Sequence, residues 1–251
     1  MNNPMWLTVE GLTEIDGRGF YAVPELDRMA PFLMNVTSDG DRWMFISSTG
    51  SLTAGRGDAS GALFPYLPDD RLHDSAGVIG PATAVRGLHD QPVWTPFLGP
   101  TGARRLAKAV TGDSIIFEEA HPVLPLRYRS EWRTSASFGF VRTVSLLNAG
   151  DRSVRFEIAD GLMDVLAHGL EPRSYQSMSN LTNAYKRGEV IDPAHKLALF
   201  SLETAVSDRP EPSEVLRATA VWSCGFEGGN VTPGARDVWM GRPHFLFNQN
   251  Q

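Results

Sequence analysis

Apolar and polar residues alternate with a period of two along most of the chain, the spacing of strands whose successive side chains face opposite sides. From Arg42 to Ser48, Trp43, Phe45 and Ser47 alternate with Met44, Ile46 and Ser48. Both faces are partly apolar, as in a strand held between two packed layers. Gly50 and Gly55 then mark turns, where glycine adopts conformations that other residues resist. The same pattern predicts strands over residues 32–38, 82–86, 92–97, 104–110, 114–119, 197–206 and 215–222.

The longest alternation spans residues 124–158. In its first arm, 124–133, Leu124, Leu126, Tyr128, Ser130 and Trp132 share one face, with Arg127, Arg129, Glu131 and Arg133 on the other. Thr134-Ser135-Ala136-Ser137 is a polar connection of hairpin length. The return arm, 138–148, places Phe138, Phe140, Arg142, Val144 and Leu146 together, and a turn at Asn148-Ala149-Gly150-Asp151 leads to a third strand over 153–158. Three consecutive antiparallel strands in one sheet are expected.

Helical spacing is scarce. Residues 24–29 predict a turn or two, and 161–168 a short apolar helix. Residues 174–187 predict a longer helix with Ser174 as N-cap, Gly188 as its stop, and Met178, Leu181 and Tyr185 facing a core. Many strands with turns every eight to twelve residues predict an antiparallel all-β sandwich over residues 1–224. Residues 225–251, rich in Gly, Pro, Asn and Gln, read as a loosely attached tail or the stub of a missing catalytic region.

Composition narrows the function. The chain has 251 residues and a formal net charge of −6, so it lacks the basic footprint of a nucleic-acid binder. Its single cysteine, Cys224, allows no disulfide within the chain and follows an apolar strand pattern, so it is expected buried in a reducing compartment. The N-terminal residues lack a basic, apolar leader, and no run nears the ~18 apolar residues of a membrane span. Cytoplasmic residence without membrane contact is the expectation.

Candidate chemistry is sparse. Glycoside cleavage needs two carboxyl groups ~5–9.5 Å apart. Asp69-Asp70 follow Pro68 and read as turn chemistry, whereas Glu118-Glu119 alternate at a strand end. His73, His89, His121, His168, His195 and His244 show no metal-ligand spacing, and His121 and His195 sit beside proline-bounded turns that suggest exposed loops. No G-x-S-x-G elbow is present, and Gly55-Arg56-Gly57 is not a phosphate loop. No catalytic residue, metal or cofactor is therefore assigned. Carbohydrate binding fits better. Sugars are gripped by aromatic faces and by hydrogen bonds from Asp, Asn and Arg, and Trp43, Arg56, Tyr66, Asp69, Asp70, Arg71 and His73 offer that mixture within one stretch. The competing interpretation places Trp43 and Tyr66 in the core and pairs Arg56 with Asp58 or Asp70.

Residues 42–73, EWRTSASFGFVRTVSLLNAG (131–150) and SNLTNAYKRGE (179–189) carry a resemblance. Over residues 19–222 the chain resembles the N-terminal region of bacterial carbohydrate-active proteins related to cellobiose phosphorylase, glycoside hydrolase family 94. The resemblance implies an antiparallel β-supersandwich of the galactose mutarotase type, with one or two short helices, preceding a helical linker and an (α/α)6 barrel. The family's catalytic residues lie in that barrel, so none maps onto this sequence. What it implies here is a sugar-recognition, docking or dimerisation module whose partners are gluco-oligosaccharides, a second copy or the barrel. The alternatives are a self-contained mutarotase-like epimerase or small glycosidase, and a purely structural oligomerisation domain.

Overall fold

The structure, a computed structural model, describes residues 11–87, 91–99, 102–204 and 214–224. The tail at 225–251, His89 and His244 lie outside the described residues. The chain divides into two compact units: Met1–Ala54 with Leu67–Met163, and Gly55–Tyr66 with Asp164–Gln251.

The first unit is built on a six-stranded antiparallel sheet. Its strands are β1 (Gly11–Ile15), β2 (Arg18–Val23), β7 (Arg104–Ala109), β8 (Ser114–Ala120), β9 (Leu126–Ser135) and β10 (Gly139–Asn148), side by side in that order. Alternation sets its faces. Leu126, Tyr128, Ser130 and Trp132 of β9 are buried, while the residues between them are only partly so. Strand β8 is enclosed on both faces, so its two glutamates go inside with its isoleucines and phenylalanine. A cluster of Ile15, Phe20, Ala22, Ala107, Ala109 and Ile116 forms on one side of the sheet. On the other, Leu126 and Tyr128 pack with Val85 and Trp94. Val85 belongs to β6 (Gly80–Arg86), which pairs antiparallel with β11 (Glu157–Met163). A further sheet has the order β3 (Leu33–Val36), β4 (Arg42–Ser47) and β5 (Leu52–Arg56), and the short helix α1 (Asp69–Asp74) follows. The unit boundary falls inside β5.

The β9–β10 hairpin forms as the alternation predicts, with Trp132 only 3% exposed. Its loop is Ala136-Ser137-Phe138, closed by Gly139 at φ 75°, so Phe138 lies in the connection. The third strand does not extend this sheet. Strand β11 starts at Glu157 and pairs with β6, leaving β10 at the sheet edge. Val154 and Ile158 pack against the Val85–Tyr128 cluster instead. Their apolar spacing reports burial and does not specify a pairing partner.

Other expectations are corrected as well. Residues 92–97 form no strand; Trp94 makes one bridge to Val85, and Phe97 has φ 64°. Residues 161–168 finish β11 and continue without helix, with the Leu166 N–H donating to the Leu63 carbonyl. Residues 24–29 supply one 3-10 turn, Leu26–Arg28.

In the second unit β12 (Arg187–Asp192), β13 (Leu197–Thr204) and β14 (Glu214–Trp222) form an antiparallel sheet beside a cluster of Ala167, Leu170 and Leu202. The predicted helix over 174–187 is two short ones, α2 (Pro172–Ser177) and α3 (Ser179–Tyr185), separated by Met178 at φ −131°. Glu171 flanks α2, so Ser174 is not a cap, and Arg187 and Gly188 belong to β12. Leu181 and Tyr185 are 44% and 52% exposed, whereas Thr182 is buried. The apolar spacing over 174–187 is therefore no core stripe. Cys224 is exposed, just beyond the partly exposed end of β14. Among the described residues no helix is long and apolar enough to cross a membrane.

Candidate ligand-binding surface

Strand β4 ends at Ser47, and the chain reverses through Gly50 into β5. This brings Ser47, Thr49 and Ser51 against α1. Ser51 Oγ and Ser75 Oγ both donate to the Leu72 carbonyl, and Thr49 Oγ1 donates to the His73 carbonyl at 3.0 Å. Asp69 and Asp70 occupy the first turn of α1 rather than a simple turn or a strand, where carboxylates complement the amide end of a helix. Leu72 anchors the helix, while Asp69, Asp70 and Arg71 are exposed.

One helical turn aligns Asp69 with His73. His73 Nε2 lies 3.2 Å from Asp69 Oδ1, and its Nδ1 lies 2.8 Å from Ser47 Oγ. The three residues have the connectivity of an acid–imidazole–hydroxyl relay. Their surroundings do not suit a nucleophile. Ser47 is fully buried, and its Oγ accepts the Thr49 N–H at 3.0 Å. The amides of Ser47, Ser48 and Gly50 donate to Ser51, Phe32 and Ser47 carbonyls, so none of them is left to steady an oxyanion. The relay is a clamp that fixes α1 to the end of β4.

Trp43, on β4, is partly buried, with its ring tilted against Phe45 at 6.2 Å. Arg56 and Tyr66 belong to the second unit, whereas Trp43, Asp69, Asp70, Arg71 and His73 belong to the first. Arg56 ends β5 and is exposed. Asp58 Oδ1 accepts the Ser60 N–H and hydroxyl at 2.9 and 2.5 Å, and these bonds hold its carboxyl below the ordinary range. The following turn needs glycine, because a Cβ on Gly61 would lie 1.9 Å from the Arg56 carbonyl oxygen. Tyr66 is 48% exposed and shares a shallow cleft with Ala62, Pro65, Pro172, Tyr175 and Gln176. The Tyr175 hydroxyl donates to Asp164 at 2.6 Å, and Lys186 holds the other Asp164 oxygen at 3.1 Å. Burial, and then the Asp164 carboxylate, push the Tyr175 phenol well above its ordinary range.

The strongest buried electrostatics lie elsewhere in the first unit. Glu119 is fully buried and accepts from Trp94 Nε1 at 3.0 Å, the Phe97 N–H at 2.8 Å and Arg104 Nε at 2.7 Å. Glu118 faces the opposite way and accepts from Arg129 Nε at 2.7 Å. Arg142 Nη1 spans both Asp160 oxygens at 2.9 and 2.8 Å, while Nη2 donates to Thr83 and Tyr128. Burial works against the Arg142 charge, and Tyr128 and Asp160 more than restore it. Arg142 was visible in sequence as a charge inside the apolar series Phe140, Val144 and Leu146, a position that demands partners. His121 is buried rather than an exposed loop residue, since its Nδ1 accepts the Val123 and Leu124 amides at 3.1 and 2.9 Å. His195 is exposed beside Asp192, as its turn suggested.

Among the described residues no group of three or more His, Cys, Asp or Glu side chains is placed to hold a metal ion. No protein-family model matches the sequence, and no curated protein matches it.

Proposed function

We propose that the chain is a carbohydrate-recognition module that binds gluco-oligosaccharides, with the supersandwich and cytoplasmic setting of the phosphorylase-like proteins it resembles. The supporting observation is the surface position of Arg56 and Tyr66, both in the second unit. A purely scaffolding stretch would bury the ring and the charge. Tyr66 lies exposed beside Tyr175 and Gln176 in one cleft, a mixture of ring and amide groups that suits the C–H face and hydroxyl edge of a sugar. The buried carboxylates Glu118 and Glu119, and the more exposed Asp160, are each committed to an arginine, which favours recognition over acid–base turnover.

A lone module offers few buried contacts, so binding should be near millimolar, about 4 kcal/mol. Titration with gluco-oligosaccharides, followed by NMR shifts, should move Tyr66 and Arg56 first. Tyr66→Ala should abolish those shifts, whereas Tyr185→Ala, on the exposed side of α3, should leave them intact. Shifts that ignore Tyr66 would remove the basis of this reading. A dimerisation role has one observation of its own: Leu12 and Tyr21 are cross-strand partners, both exposed, on the two outermost strands at the β1 edge of the six-stranded sheet. Sedimentation of the wild type against Leu12→Lys tests it.

A further inference from the structure

The first unit contains a cavity of about 30 Å³, walled by Thr83, Tyr128, Ser130 and Trp132 beside the rings of Phe97 and Phe117. Ser130 and Trp132 are two apart on β9 and so share its buried face. The hydroxyl protons around this wall can be counted. Thr83 Oγ1 donates to Asp160 Oδ1 at 2.5 Å, so the Tyr128 proton goes to Thr83 Oγ1 at 3.1 Å. Both of these oxygens also accept from Arg142 Nη2, and neither has a proton left to give. Ser130 Oγ accepts from Arg142 Nε at 3.1 Å, and its own proton has no acceptor among the described residues. Trp132 Nε1, a donor only, is buried with no partner.

The cavity wall therefore carries two unanswered donors. Buried donors are rarely left so. We propose that the cavity is a binding site for one neutral oxygen acceptor, a resident water molecule bonded to both Trp132 Nε1 and Ser130 Oγ. The volume exceeds the roughly 10–15 Å³ that a cavity needs to hold one water molecule, so a water fits. Thr49, also on the wall, has a hydroxyl oxygen that can accept one of the water's own protons. The site is independent of the carbohydrate reading, because Tyr66 and Arg56 take no part in it.

The wild-type protein provides the test. Trp132→Phe identifies the Trp132 indole signal among the six tryptophans of the chain; if that variant does not fold, sequential NOEs from the Trp132 backbone identify it instead. The indole proton should show direct cross-relaxation with a long-lived water. A crystal structure should show a single-atom peak about 3 Å from both Nε1 and Ser130 Oγ. Formamide at high concentration should leave the indole shift unmoved. An indole proton without water cross-relaxation, polyatomic density in the cavity, or a saturable formamide shift would each overturn the assignment.

Discussion

Glu119 is a residue whose value lies in what its absence would strand. Three donors from three places in the chain, the Trp94 indole, the Phe97 amide and the Arg104 guanidinium, converge on one fully buried carboxylate. Glu119→Ala takes the carboxylate from the Arg104 guanidinium, which keeps only the Gly99 carbonyl, and leaves two N–H groups unanswered; it should cost about 3–5 kcal/mol. Glu119→Gln keeps an acceptor and should cost less; urea unfolding of both variants measures the difference. His121 sets a dependence on acidity. Its buried imidazole is held below its ordinary value of 6.5, so the unfolded chain takes up that proton first as the pH falls. The stability contributed is complete above pH 6.5 and drains away as the pH falls through the folded-state value. Urea midpoints at about pH 8 and about pH 5 should show the decline, and His121→Asn should shrink it. A variant with an unchanged decline would assign the effect to other groups.

At the scale of elements, the Arg142–Asp160 pair ties β10, at the edge of one sheet, to β11 in another. Asp160→Ala strands a buried guanidinium and should cost about 3–5 kcal/mol, whereas Arg142→Met with Asp160→Leu should recover most of that loss. A double variant no better than the single would show that the hydrogen bonds to Thr83, Tyr128 and Ser130 matter more than the charge. The β9–β10 hairpin was legible because ten-residue arms repeat their alternation often enough to fix both type and face. The third strand was not, since Val154 and Ile158 announce burial without naming a neighbour. Helix α1 was hidden because Asp69-Asp70 after Pro68 suit a turn and a helix start equally. Leu181 and Tyr185 do share a side of α3, but an exposed one, and Met178 breaks the helix before it. Among the carbohydrate candidates, the Asp69–His73 contact depends on helix α1 and so was not legible either. The involvement of Ser47 depended on where β4 ends.

On the scale of the whole molecule, the second unit is made of two separate stretches, and no linker-like composition marks where the chain enters or leaves it. Its sheet has three strands, against six in the main sheet of the first unit. Local opening follows the extent of packed structure, so amides of β12–β14 should exchange with solvent before those at the centre of β8 and β9. Equal protection would mean that the two units open together. The split also matters in time, while the chain is being made. Residues 55–66 leave the ribosome roughly a hundred residues ahead of Asp164, the start of the rest of their unit. At about 5–20 residues per second, Phe64, buried in the finished protein, waits roughly 5–20 s before the second stretch even begins to be synthesised. Nascent chains arrested near Met163 should be cut by protease within 55–66, and chains released beyond β14 should resist.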